Sequence, residues 1–272
     1  MTEPLVSRLE EVWGDIAALC DGLTDTQWDA PTECPGWSVF DNVAHMIGTE
    51  RMLLGERPEA ADAAVDAPHV RNDIGMANEQ WIATYRGWTG AKLLDEFRAV
   101  TARRLDVLRA MTEEEWSAEG FTPEGPGPYR VFMAIRVFDC WYHDEDIREA
   151  IGRPGFLEGP VADLSIERIP TKALGYVVGK KAGAPAGSTV AFVVEGAPEI
   201  TAAISVPPEG RAVLLDETPA DPTVRITTDR RTFARLAGGR WTGDHARAQG
   251  VVRVEGDTAR GGRVVDNMAF TI

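Results

Sequence analysis

The chain changes texture at Pro154, and this change constrains its architecture more than any other feature. Before Pro154, apolar residues recur at spacings of three and four, the period of helices that bury one face. After it they come in short runs bounded by Gly and Pro, the pattern of strands joined by turns. A chain of 272 residues is long for one core and comfortable for two. Two domains are therefore expected, a helix bundle over 1–155 and an α+β domain over 156–272.

In the first part, Leu5, Leu9, Val12, Ile16 and Leu19 predict a helix over 3–21. L-T-D-T-Q-W at 23–28 opens a connection through the Cys34-Pro35-Gly36-Trp37 turn. Ser38 as N-cap, with Asp41 reaching back in a capping box, starts a second helix near Val39. Residues 73–88 and 91–110 carry two further helical stripes. M-T-E-E-E-W at 111–116 echoes the earlier hexapeptide, so two helical hairpins share a plan. A Pro/Gly loop then leads into a helix from Tyr129 to Ala150, stopped by Gly152 and Pro154. Val131, Ile135, Phe138, Trp141 and Tyr142 give that helix its core face, and together these elements make an up-and-down bundle. In the second part, a helix over 161–181 precedes strands in S-T-V-A-F-V-V-E-G, E-I-T-A-A-I-S-V, R-A-V-L-L-D, P-T-V-R-I-T-T and V-V-R-V-E-G-D. A short helix on T-D-R-R-T-F-A-R-L-A-G-G, capped by Thr228 or Asp229 and ended by the glycines, and a last one through Val264, Val265 and Met268 accompany an antiparallel sheet.

The formal charge of −15, with no offsetting Lys/Arg cluster, opposes nucleic acid and anionic membrane surfaces as partners. No apolar segment approaches the ~18–20 residues of a transmembrane helix, and the N-terminus reads as mature protein rather than a leader. Cys20, Cys34 and Cys140 lack C-x-x-C spacing and fit a reducing cytoplasm better than a disulfide framework. Oligomeric state is not encoded in any of these features.

The chemistry-bearing stretch is R-V-F-D-C-W-Y-H-D-E-D-I-R, from Arg136 to Arg148. Asp139 and His143 are four residues apart, so on a helix they stand on one face, close enough to hold one ion. His45, on the flank of the Val39 helix, is the best third ligand; its alternative is a hydrogen-bonded bundle histidine. Two histidines and a carboxylate leave an open position on a metal. Asp41 either orients His45 or only caps its helix. Asp146 and Arg148 form an ion pair or cap at the helix end, or act in catalysis. Cys140 reads as a small buried residue turned about 100° from Asp139. His69 and His245 read as exposed, and Arg230, Arg231 and Arg235 as a solvated helix face.

T-x-C-P-G-W-S-V-x-D-x-x-A-H followed by R-x-x-D-x-W-x-H-x-x-D-I-R resembles the DinB/YfiT-like metal-binding bundle of the mycothiol-dependent maleylpyruvate isomerase family. T-F-A-R-L-A-G-G-R and V-x-V-E-G-D resemble the sterol-carrier-like α+β domain that follows that bundle in the same family. The resemblance implies a divalent metal, usually zinc, on His45, Asp139 and His143, with water or the thiol of mycothiol in the fourth position. It also implies an arginine of the second domain that binds the anionic substrate, for which Arg240 in L-A-G-G-R is the match. The chain departs from the family at Asp139, where the isomerases carry glutamate. Aspartate is one methylene shorter, so the helices must approach more closely or the metal must shift.

Three functions suit these residues. The first is a metal- and thiol-dependent isomerase or S-transferase acting on a small electrophile such as maleylpyruvate. The second is a small-molecule or lipid-binding protein with a structural metal, and the third a regulator working through protein contacts.

Overall fold

In a computed structural model of the chain, residues 3–59 and 68–270 are described. Their contacts divide into two units, Met1–Phe156 and Leu157–Ile272. Part of the Glu56–Arg71 stretch, expected to be a loop, lies outside the described residues.

The first unit is a helix bundle. Helix α1 (Pro4–Leu19) buries Leu5, Leu9, Val12, Ile16 and Leu19. A short helix α2 (Asp25–Trp28) stands where the sequence predicts an irregular connection. The Thr24/Gln27 capping box closes its N-terminus and buried Trp28 anchors it, which stabilises a turn too short to persist alone. Helix α3 (Val39–Leu53) begins at the predicted residue: Ser38 Oγ accepts from the Asp41 N–H, and the Asp41 carboxylate accepts from the Ser38 N–H at 3.0 Å. Then come α4 (Asp73–Tyr85) and α5 (Gly90–Ala110). Helix α4 ends three residues before the predicted limit, ahead of Gly87, whose φ of 87° breaks the helical backbone. M-T-E-E-E-W repeats the plan of the first hexapeptide as α6 (Glu113–Ser117), with a Thr112/Glu115 capping box and buried Trp116. A two-residue ladder of β1 (Glu119–Gly120) and β2 (Gly127–Pro128) leads into α7 (Tyr129–Ala150).

Helix α3 packs against α4, α5 and α7, while α1 packs against α5 and α7. Because α3 is covered on several sides, its polar residues lie inside with its apolar ones: His45 is 5% exposed and Glu50 0%. Helix α3 comes close to α4 at Gly48, where a Cβ would run into the Trp81 side chain. Gly48→Ala is expected to destabilise the chain by ~1–3 kcal/mol through this overpacking; a shift of the urea midpoint measures it.

The second unit is α+β. Helix α8 (Pro160–Ile169) passes into π-helical turns at Pro170–Leu174 and Val177–Lys181, in place of the regular helix predicted to 181. Pro170 has no N–H to donate, so the regular ladder cannot run through it. Strands β3 (Thr189–Glu195), β4 (Ile200–Ser205), β5 (Val213–Leu214) and β6 (Val224–Asp229) precede α9 (Arg230–Ala237) and α10 (Gly243–Ala248). Strand β7 (Val252–Gly256) and α11 (Thr258–Asp266) follow. The sheet order is β5-β4-β3-β6-β7. It is mixed rather than antiparallel throughout, since β6 lies parallel to β3 and the other pairs are antiparallel. The antiparallel excursion through β4 and β5 uses one edge of β3, and the chain returns to the other.

Two arginines of α9 depart from the expected solvated face: Arg230 is 4% exposed and Arg235 2%. Arg230 ion-pairs with Asp163 of α8 and donates to the Pro198 carbonyl at 2.9 Å, so its charge is satisfied inside. Helix α10, which the sequence reading missed, is capped by Thr242; His245 on it is exposed as predicted. No helix among the described residues is long and apolar enough to cross a membrane.

Candidate metal centre

His45 comes from the middle of α3, and Asp139 and His143 from one face of α7. Each offers one ligand atom, and the three atoms lie within 4.8 Å of one another. His45 Nε2 is 3.2 Å from Asp139 Oδ2, and His143 Nε2 is 3.5 Å from Asp139 Oδ1. The two imidazoles meet edge to face, with ring centroids 4.9 Å apart. Both histidine side chains are 7% exposed whereas that of Asp139 is 31% exposed, so the carboxylate marks the side open to solvent.

The Cys34-Pro35-Gly36-Trp37 turn covers the rings. Its Trp37 N–H donates to the Cys34 carbonyl at 3.1 Å, and Gly36 takes φ 84°, as Pro and Gly at the centre of a type II turn require. The Trp37 ring then lies 4.9 Å from that of His45 and 5.5 Å from that of His143. Trp37 Nε1 donates to Glu79 Oε1 at 2.7 Å, the same oxygen that lies 2.7 Å from His69 Nε2. His69 is thus half-buried and paired rather than exposed, because Glu79 of α4 draws it in.

Behind the donors lies a chain of buried charges that the sequence reading missed. Arg104 of α5 donates from Nε to Glu50 Oε2 and Arg136 from Nε to Glu50 Oε1, each at 2.9 Å. Arg136 also grips Asp139 Oδ2 through Nη1. The signal was present as charges at core positions: Glu50 falls in the stripe Val43, Ile47, Leu54, and Arg104 in the stripe Phe97, Val100, Leu108. Burial disfavours the Asp139 carboxylate, but Arg136, then His143 and His45, outweigh it and hold its pKa well below the usual range. Burial lowers the pKa of His45. Burial also opposes charge on His143, yet Asp139 and then Asp146 overcome it, and its pKa is raised.

Asp146 is wholly buried, and its Oδ2 lies 3.4 Å from His143 Nδ1, behind the ring. Arg148 turns away and pairs with Asp144 and Asp15. Asp41 serves the Ser38 cap and faces Arg86 at 3.1 Å, and is not the orienter of His45. Cys140 is buried and accepts from Trp13 Nε1 at 3.3 Å and Arg136 Nη2 at 3.4 Å. Burial pushes its thiol up to about 12, and that of Cys20 upward too. Iodoacetamide should therefore modify half-buried Cys34 in the native chain and leave Cys20 and Cys140 intact until denaturant is added, as peptide mass spectrometry reads out. Arg240 is half-buried on the second unit and donates to the Gly238 carbonyl at 2.7 Å.

The donors suit a divalent cation. Two imidazole nitrogens and a carboxylate are the chemistry of zinc, and they point at one another in a pocket shielded on the Trp37 side. His45 Nδ1 and His143 Nδ1 are both buried and make no hydrogen bond among the described residues.

A helix bundle carrying an open His/His/carboxylate set, followed by an α+β domain, defines a class of two-domain proteins. The family model described as "Mycothiol maleylpyruvate isomerase N-terminal domain" matches residues 9–148, and that of the "SCP-2 sterol transfer family" matches residues 179–266. The chain belongs to the mycothiol maleylpyruvate isomerase N-terminal domain family, with an SCP-2-type domain after it. Its fold is similar to the crystal structure of the mycothiol-dependent maleylpyruvate isomerase, at TM-score 0.56 and 17% identity, covering 89% of this chain and 92% of that one. A mutant of that isomerase gives 0.57 and 16%, covering 94% and 95%. Two relatives from Mycobacterium tuberculosis, "Uncharacterized protein MT0041" (strain CDC 1551 / Oshkosh) and "Uncharacterized protein Rv0036c" (strain ATCC 25618 / H37Rv), are each 26% identical over 150 residues. Those matches cover 55% of this chain and 57% of each relative.

Proposed function

We propose that the bundle holds one divalent cation, zinc by its donor chemistry, on His45, Asp139 and His143. With it the protein uses a low-molecular-weight thiol, mycothiol, to isomerise or S-conjugate a small electrophile of the maleylpyruvate kind. The observation that carries this is the convergence of three ligand atoms from two helices within 4.8 Å. Membership of the family and likeness in fold to the isomerase support it. A bound dication stabilises a thiolate at neutral pH and so supplies the nucleophile.

The chain's own residues would do the rest. Arg136 fixes the Asp139 carboxylate, and Asp146 stands behind His143 to set its ring. Trp37 shields both imidazoles from bulk water, while the solvent-facing side of Asp139 leaves an entry for thiol and electrophile. Arg240 is the proposed anchor for a substrate carboxylate, where a guanidinium fork suits the geometry. Arg240→Ala should then raise KM with a smaller change in kcat, measured by steady-state kinetics. We place the reaction in the cytoplasm, where small thiols are kept reduced.

The test is metal analysis of the purified chain, followed by mass spectrometry of the zinc-loaded protein given mycothiol and a panel of electrophiles, maleylpyruvate included. Near-stoichiometric metal, with an isomer or an S-adduct formed, is the expected result. A folded wild type that takes up no metal would refute it. The SCP-2 match favours a second reading, in which residues 179–266 carry an apolar ligand; lipid extracted from the purified chain would support that one.

A further inference from the structure

The turn that places Trp37 over the imidazoles also brings a sulfur to His143. Cys34, His143 and Asp146 each offer one ligand atom, and these three atoms lie within 4.8 Å of one another. The two nitrogens of His143 face different carboxylates. Nε2 is the one toward Asp139, at 3.5 Å, and Nδ1 the one toward Asp146, at 3.4 Å. Nδ1 is buried and makes no hydrogen bond among the described residues, on a side chain only 7% exposed. Asp146 is 0% exposed, and a carboxylate wholly withdrawn from water beside a buried imidazole nitrogen and a thiol is a donor set rather than a surface accident.

We propose that Cys34, Asp146 and Nδ1 of His143 form a second cation position, one that takes a borderline metal such as zinc and excludes occupancy of the position on His45 and Asp139. Thiolate, imidazole and carboxylate favour such an ion over calcium or magnesium, which prefer oxygen alone. Exclusion follows from the imidazole itself. A neutral ring has one lone pair, so when Nδ1 binds a cation Nε2 carries the proton, and the reverse holds for the other position. The Cys34 thiol loses its proton to solvent as the cation binds, with no change of oxidation state. Cys34 differs from Cys20 and Cys140 in being half-buried, on a turn closed by the Trp37 N–H to the Cys34 carbonyl, where the other two are enclosed. The chain thus carries a thiolate of its own that competes with any small thiol for the same ion.

Cobalt(II), at saturating concentration with the full chain in thiol-free buffer, is the probe. His45→Ala cripples the first position and leaves the second intact. The expected result is a sulfur-to-cobalt charge-transfer absorption in His45→Ala, lost in His45→Ala/Cys34→Ser and kept in His45→Ala/Cys140→Ser. Asp139→Asn gives the same outcome by a second route should His45→Ala fold poorly. In His45→Ala, where the first position no longer competes, cobalt should slow alkylation of Cys34 at least tenfold. The proposal is overturned if cobalt binds to His45→Ala or Asp139→Asn without the sulfur absorption, if neither variant binds cobalt, if the absorption survives loss of Cys34, or if cobalt leaves Cys34 alkylation unchanged in His45→Ala. A wild type that binds cobalt without sulfur absorption, and loses it in His45→Ala, leaves the proposed function standing and removes this second position. A sulfur absorption held with wild-type affinity in His45→Ala does the opposite.

Discussion

His143→Ala should abolish zinc binding, and His45→Ala should weaken it by at least about 100-fold, more than the loss of a supporting residue costs. His143 offers a nitrogen at two edges of its ring, toward Asp139 and toward Asp146, so its removal destroys every donor set that includes it. His45 belongs to only one. Competition titration against a zinc chelator measures both, with circular dichroism to show that the helices persist. The same titration run against pH should show affinity falling with acid from above 6.5, the ordinary imidazole value, because the raised His143 holds its proton there and must lose it to bind. His45, shifted downward, is already neutral in that range and adds no proton of its own. The slope is therefore about one proton per cation near neutrality. An affinity independent of pH from 6 to 8, or unchanged in His143→Ala, would show that these rings do not bind the metal.

Glu50→Ala is expected to be the most destabilising single change in the bundle, by about 3–5 kcal/mol. Glu50 is 0% exposed and accepts from two guanidinium groups, those of Arg104 and Arg136, which are 1% and 3% exposed. Removing the carboxylate leaves two positive charges inside with half their partners gone. By contrast, Glu10→Ala breaks the exposed pair with Arg109 and should cost no more than about 1 kcal/mol. Urea unfolding of the two variants side by side separates the buried network from surface charge. A Glu50→Ala midpoint within error of the Glu10→Ala one would mean that the buried chain of charges contributes little.

The helices and the candidate ligand set were legible for different reasons. Ser38 and Asp41 announced the start of α3, and Gly152 with Pro154 announced the end of α7, since caps and stops act through neighbouring residues. The His45, Asp139 and His143 set was legible because four-residue spacing on α7 already pairs two of its members. What was missed depends on long-range packing. Val131 and Ile135, expected in the core of α7, are only half-buried, while Met133, Val137 and Cys140 are fully enclosed, so the face that meets α1 and α3 is rotated from the one read out of periodicity alone. Glu50, Arg104 and Arg136 sit where apolar residues belong, and only their mutual pairing across three helices explains them. The parallel pairing of β6 with β3 and the burial of Arg230 likewise rest on partners distant in the chain.

His45 and Asp139 are separated by 94 residues. An unfolded chain cannot hold such distant ligands together, so any ion seated between them acts as a clasp on the folded bundle. At a free-ion level 100 times the dissociation constant, the clasp adds about 2.7 kcal/mol to the native state. Thermal melting would then depend on the supply of metal, and a cell starved of the ion would hold a chain that unfolds more readily.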